Sequence, residues 1–262
     1  MEVKMRILCL GDSIMQYNDG TTYPNTGWVQ ELGRFLPVGT EILNFARNGR
    51  SSKSFIAEGR FEKVLAAARE GDFALIGFAH NDEKSGDASR YSSPAPDGEF
   101  RRNLEYFVVN LWAKKCLPIL LTPVARRKFL SPDGDGICRV ENTHGDYPEA
   151  IRETAAKLGV PCIDLTRLTG ELLEDSGVEK SKMFYMNFPA GLYVNYPDGK
   201  EDNSHLRPDG AFAVSRIAAM EMANFGNSFE EYGPLSDSIV GKKAKDAGGD
   251  VEIDDEYVVF QK

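Results

Sequence analysis

No stretch of this 262-residue chain approaches the roughly 18 consecutive apolar residues that a membrane-spanning helix needs. The N-terminus, Met1-Glu-Val-Lys-Met-Arg-Ile-Leu-Cys-Leu10, runs straight into strand-like sequence, with no separate apolar segment and no small-residue cleavage site. Cysteine is scarce. The four thiols (Cys9, Cys116, Cys138, Cys162) form no C-x-x-C pair, and three of them sit in apolar runs, where a buried free thiol is the ordinary explanation. Together these absences predict a cytoplasmic protein with reduced thiols and no membrane contact. Positive charge is also short: 31 Lys plus Arg stand against 40 Asp plus Glu, a net charge of −9, which argues against a nucleic-acid partner held through its phosphates. The dinucleotide pattern G-x-G-x-x-G, a P-loop lysine and the zinc motif H-E-x-x-H are all missing. Asp133-Gly-Asp-Gly136 lacks the spacing and terminal glutamate of a calcium loop and reads as a turn. No cofactor and no metal are expected.

What is present is a globular composition, 42% hydrophobic and 27% charged, at a length that suits one large domain. The acidity is concentrated at one end. Residues 227–262 hold nine acidic residues and four lysines, so that this segment carries −5 and the rest of the chain −4. The reading is a catalytic domain over 1–226 and an acidic C-terminal extension over 227–262. Residues 251–260 partly alternate, and so could supply an added edge strand or a contact in a homo-oligomer.

Short apolar runs at 6–10, 41–45, 73–78, 117–122 and 160–164 read as buried strands. Amphipathic stretches near 27–36, 61–69, 99–115 and 146–158 separate them. A closing helix follows over 207–224 with Pro208 in its first turn. Such alternation predicts an α/β fold, a three-layer α/β/α sandwich around a parallel sheet of about five strands. Residues 85–98, rich in Ser, Pro, Asp and Gly, predict a surface loop. Ligands of such sheets bind beyond the carboxyl ends of the strands, which directs attention to the segments after the first three.

After the first strand stands Gly11-Asp12-Ser13-Ile14, after the second Asn44-Phe-Ala-Arg-Asn48-Gly49-Arg50-Ser51-Ser52, and after the third Ala79-His80-Asn81-Asp82. Near the end, Asp202-Asn203-Ser204-His205 leads into the closing helix. Taken singly, each has an ordinary structural explanation: a capping serine, a loop glycine, an Asn-Asp turn, a surface Asp and His at a helix entrance. Taken together and in this order, they supply a nucleophile, two backbone donors, a side-chain donor and a carboxylate–imidazole pair. The i, i+3 spacing of Asp202 and His205 at a helix entrance would put both on one side.

That combination resembles the SGNH (GDSL-type) hydrolase superfamily, whose four blocks match Ser13, Gly49, Asn81 and His205, with Asp202 before the histidine. The one departure is Ala79, where the third block usually has glycine in Gly-x-Asn-Asp; its methyl group is expected to narrow the acyl pocket or shift the loop. Within the superfamily the chain looks most like the rhamnogalacturonan acetylesterase group. The stretches that carry this are Asn48-Gly-Arg-Ser-Ser52, Gly145-Asp-Tyr-Pro-Glu-Ala150 followed by Val-Pro-Cys-Ile-Asp-Leu165, and Asn195-Tyr-Pro-Asp-Gly-Lys-Glu-Asp-Asn-Ser-His205.

The resemblance implies a flavodoxin-like SGNH fold and a serine esterase acting on small acetylated oligosaccharides from plant cell walls. Ser13, Asp202 and His205 would be catalytic, and the N–H groups of Ser13 and Gly49 with the Asn81 amide would form an oxyanion hole. His80 and Asn48 would line the substrate site. A lysophospholipase or thioesterase of the same superfamily, and a catalytically silent carbohydrate-binding relative, are the alternatives. Four aromatics within 183–193 are read equally as sugar platform or as core.

Overall fold

The computed structural model describes residues 5–132, 134, 136–244 and 251–253. In chain order the elements are β1 (Arg6–Gly11), α1 (Val29–Leu32), β2 (Glu41–Asn44), α2 (Ser52–Ala57), α3 (Arg60–Ala67), β3 (Phe73–Gly77), α4 (Glu99–Ala113) and β4 (Leu117–Leu121). They continue with α5 (Tyr147–Leu158), β5 (Cys162–Ile163), α6 (Leu165–Lys180), β6 (Tyr185–Phe188), β7 (Lys200–Leu206), α7 (Pro208–Asn224), α8 (Gly233–Ser238), β8 (Lys242–Ala244) and β9 (Val251–Ile253).

The five expected strands form one parallel sheet in the order β2-β1-β3-β4-β5. Successive side chains of a strand point to opposite faces, and here both faces are covered, which is why the strands read as unbroken apolar runs. Ile7, Cys9, Phe73, Leu75, Ile119 and Leu121 enter one core, packed by Leu32 of α1 and Val214, Ala218 and Met222 of α7. Leu8, Leu10, Ala74, Ile76 and Leu120 enter the other, filled by Phe55, Phe61, Phe107 and Ile151 from α2, α3, α4 and α5. Phe55, Phe61, Phe78 and Phe107 meet there edge-on or stacked at 4.8–6.2 Å, the spacing aromatic pairs prefer. The result is the expected three-layer sandwich.

β1 lies between β2 and β3, so the chain departs from it in two directions, and the crevice at their carboxyl ends is the switch point of the sheet. The turn there is tight. A Cβ on Gly11 would stand 2.6 Å from Met15 Sδ and 2.7 Å from the Gly77 carbonyl, a contact only glycine avoids.

Three differences from the sequence reading concern function. The hairpin β6–β7 and the helix α6 were not foreseen. Residues 228–240, assigned to the acidic extension, are part of the first core: Tyr232, Leu235 and Ile239 are buried there, the Tyr232 hydroxyl donates to the Pro118 carbonyl at 2.7 Å, and Val240 N–H donates to Phe35 O at 2.9 Å. A boundary at 226 therefore cuts a packed layer. The tail strand β9 pairs antiparallel with β8 in a sheet of its own and adds no edge to the parallel sheet. Residues 254–260 of that expected strand, with Asp133 and Asp135, lie outside the described residues. Among the described residues no helix is long and apolar enough to cross a membrane.

Candidate active site

The turn after β1 is built around Asp12. Its Oδ1 accepts the Ile14 N–H at 3.0 Å, and its carbonyl accepts those of Met15 and Gln16 at 3.3 and 3.1 Å. This Asx arrangement leaves the N–H of Ser13 without an acceptor among the described residues. Ser13 is half-buried at the sheet's carboxyl edge, where its Oγ stands 3.0 Å from His205 Nε2. His205 Nδ1 stands 2.8 Å from Asp202 Oδ2. The hydroxyl, imidazole and carboxylate expected from the sequence thus form one continuous chain of hydrogen bonds.

The route by which Asp202 reaches His205 differs from the expected one. Both residues lie in β7, not in the first turn of a helix; α7 begins at Pro208. Asp202 Oδ1 accepts the N–H groups of Ser204 and His205 at 2.8 and 3.0 Å where the pairing of β7 with β6 shifts register, and this brings the i, i+3 pair together. Burial works to raise the Asp202 carboxyl. The hydrogen bonds from the His205 ring and backbone, the charge of His205 and the Ser204 N–H outweigh it and hold the group well below the usual carboxylate range. An ionised Asp202 fixes Nδ1 as the protonated nitrogen, leaving Nε2 as the acceptor that faces Ser13.

The second donor segment is tied to the first. Arg47 N–H donates to Gly11 O at 3.0 Å, Asn44 Nδ2 to Met15 O at 2.7 Å, and Asn48 N–H to Gln16 Oε1 at 2.5 Å. Gly49 sits at φ +76°, a conformation side chains disfavour, and a Cβ there would meet nothing within 4 Å, so the backbone conformation and not crowding favours glycine. Its N–H has no acceptor among the described residues. Asn81 is buried, and its Nδ2 donates one hydrogen to Arg50 O at 3.1 Å, which leaves the other unassigned. Ser13, Gly49 and Asn81 therefore present donors at the ends of β1, β2 and β3, side by side in the sheet.

Two expectations are corrected. His80, expected to line the substrate site, is buried: Nδ1 lies 3.3 Å from Asp12 Oδ2, and the ring packs edge-on against His144 at 4.7 Å. It supports the nucleophile turn from behind. Ala79 is fully buried in the second core, so its methyl narrows no pocket; the effect is on the backbone, which takes φ +149°. Asn48 remains exposed on the rim beside Gly49. Of the aromatics in 183–193, Tyr185 is buried in the first core and its hydroxyl donates to Ala125 O at 2.6 Å, while Phe188 packs edge-on against Tyr193 and Tyr196 at 4.7 and 5.8 Å.

Other residues act as ties between the segments. Asp82 accepts at 2.5 Å from the hydroxyls of both Ser52 and Ser92, and at 3.0 Å from the Ser52 N–H, which joins the Gly49 and Asn81 segments. Burial, opposed by those donors and assisted by the Asp12 carboxylate, pushes its carboxyl up to about 7. Arg126 pairs with Glu83 and donates from Nε to Ser204 Oγ at 3.2 Å, bridging the third segment to the catalytic loop. Glu83 Oε2 lies 3.0 Å from His144 Nδ1. The only advance sign of Asp82 was its place directly after Asn81, and Arg126 carried none.

The chain is similar to several known proteins. The GDSL-like Lipase/Acylhydrolase family matches over residues 9–187. Rhamnogalacturonan acetylesterase RhgT of Bacillus subtilis (strain 168) is 34% identical over 247 residues, covering 94% of this chain and 99% of its own length. Probable rhamnogalacturonan acetylesterase YesY of the same organism is 29% identical over 238 residues, covering 90% and 98%. Among solved structures, protein YxiM of Bacillus subtilis superposes with a TM-score of 0.71 at 23% identity, over 86% of this chain and 57% of that one. The acetylxylan esterase Axe2 of Geobacillus stearothermophilus does so with 0.59 at 16% identity, over 84% and 96%. By the match over most of its length and by the RhgT likeness, this chain belongs to the GDSL-like lipase/acylhydrolase family and is a carboxylic ester hydrolase.

Proposed function

We propose that the chain removes O-acetyl groups from plant cell-wall oligosaccharides of the rhamnogalacturonan type, through an acetyl-enzyme on Ser13. The observation that carries the chemistry is the 3.0 Å approach of His205 Nε2 to Ser13 Oγ, with Asp202 2.8 Å behind the ring. The sugar is suggested by RhgT and YesY, which bear that activity in their names.

A serine hydroxyl is barely ionised near neutrality, so its proton must leave as it attacks the ester carbonyl. His205 takes that proton, and Asp202 balances the imidazolium without accepting it. The carbonyl oxygen, now negative, receives the N–H groups of Ser13 and Gly49 and the free amide hydrogen of Asn81; removing one such donor typically costs about 10²–10³ in rate. His205 then protonates the departing sugar oxygen. Water, activated by the same ring, releases acetate.

The test is acetate release from acetylated pectin and acetylated xylan oligosaccharides, with a chain-length series of aryl esters beside it. Faster release from pectin and a preference for acetate over butyrate or octanoate support the proposal. Faster turnover of the longer acyl esters overturns the substrate class. Unchanged turnover in Ser13→Ala overturns the mechanism.

A further inference from the structure

Beyond these groups we infer that Lys84 is a positioning residue for the oxyanion hole, acting through Asn81. This rests on the proposed function and names a residue that the family match does not. Lys84 lies on the same turn as Asn81, three residues on, its N–H donating to Asn81 O at 3.3 Å. Its exposed side chain folds back, and Nζ donates to Asn81 Oδ1 at 2.8 Å. Arg90 Nη1 approaches the same oxygen at 3.5 Å, its Nε held by Asp87 at 2.6 Å. Among the described residues Lys84 forms no ion pair, so its hydrogen bond to the amide is its defined partner.

A primary amide has an acceptor end and a donor end, and a half-turn of the side chain exchanges them. Here only one orientation satisfies the surroundings. With Oδ1 toward Lys84 and Arg90, Nδ2 faces Arg50 O and the crevice; reversed, the NH₂ group would confront two cations and the oxygen would confront a carbonyl. Lys84 therefore does two things. It locks the donor end toward the developing oxyanion. It also draws electron density onto Oδ1, which makes the remaining N–H a stronger donor, as charge-assisted partners do. Partial desolvation against the turn, with Arg90 and Arg126 nearby, lowers the Lys84 ammonium below its ordinary value, while Glu83 and Asp12 act the other way.

The experiment is a double-mutant cycle on an aryl acetate. Lys84→Met is expected to lower kcat about 10-fold, less than loss of a whole oxyanion donor, with KM within about 2-fold. Lys84→Arg should restore most of kcat. Lys84→Met added to Asn81→Ala should cost less than about 2-fold more, because the group it positions is gone. If Asn81→Ala is too unstable to assay, Asn81→Ser takes its place. Wild-type kcat in Lys84→Met, or an equal loss with and without Asn81, overturns the inference. Turnover surviving Ser13→Ala would overturn the underlying mechanism instead, so the two failures are distinguishable.

Discussion

Each residue of the site is held by a partner whose removal has a calculable effect. Asp202→Asn keeps the shape but reverses the hydrogen-bonding of His205 Nδ1, so kcat is expected to fall about 10⁴-fold, as loss of the correct tautomer does elsewhere. A fluorophosphonate probe should label wild-type protein at one serine, and Ser13→Ala or His205→Ala should abolish labelling. Ala79 supplies a different test. A non-glycine residue at φ +149° costs of order 1–3 kcal/mol, whereas the buried methyl contributes about 0.8 kcal/mol. Ala79→Gly should therefore leave stability unchanged or raise it in denaturant titration; a loss above about 1 kcal/mol would show the conformation to be relaxed. The reacting trio was legible because the chain has only three histidines and the order of the four blocks along it is informative. Asp82 and Arg126 were not, because a tie is defined only by what it meets across space.

At the scale of elements, Asp82 joins the start of α2 to the turn after β3. Asp82→Ala would leave the Ser52 N–H buried without its acceptor, at about 1–3 kcal/mol, would leave the Ser52 and Ser92 hydroxyls only each other and the Asn103 amide, and would loosen Gly49 and Asn81 together. A lower melting temperature with a drop in kcat is expected; wild-type kcat in a folded variant would separate the two segments. The parallel strands were readable because both faces are buried and the apolar signal is unbroken. β7 (Lys-Glu-Asp-Asn-Ser-His-Leu) was not: it is polar and half-exposed, and becomes a strand only by pairing with β6. α6 escaped because Gly170 and Gly177 interrupt its pattern, and the backbone leaves helical geometry at Gly177.

For the whole molecule, two carboxylates give opposite pH dependence. Asp202 has a folded-state value below its ordinary 3.8, so the unfolded chain takes up the proton first, and its contribution to stability is lost as pH falls below about that value. Asp82 is raised to about 7, so the folded chain keeps a proton that the unfolded chain has released; its contribution is present in acid and fades as pH rises from 3.8 to about 7. Asp82→Asn, which keeps an acceptor oxygen and cannot ionise, should flatten the melting-temperature profile between pH 4 and 7. An unchanged profile would mean that Asp82 is ionised when folded. Size matters as well: a chain ending at Gly226 would lose the buried Tyr232, Leu235 and Ile239, and should fail to give a cooperative unfolding transition. The acidic charge count suggested a solvated tail there because it recorded the charges of 227–262 and not the apolar residues between them.

The hydroxyl of Ser13 and the ring of His205 are separated by 192 positions along the chain yet share one hydrogen bond. During synthesis the serine leaves the ribosome early and stays inert until nearly everything after it has been made and docked. Catalysis is thus a property of the finished product, and the recovery of esterase activity on refolding should report docking of the final helical layer, long after the sheet has begun to assemble.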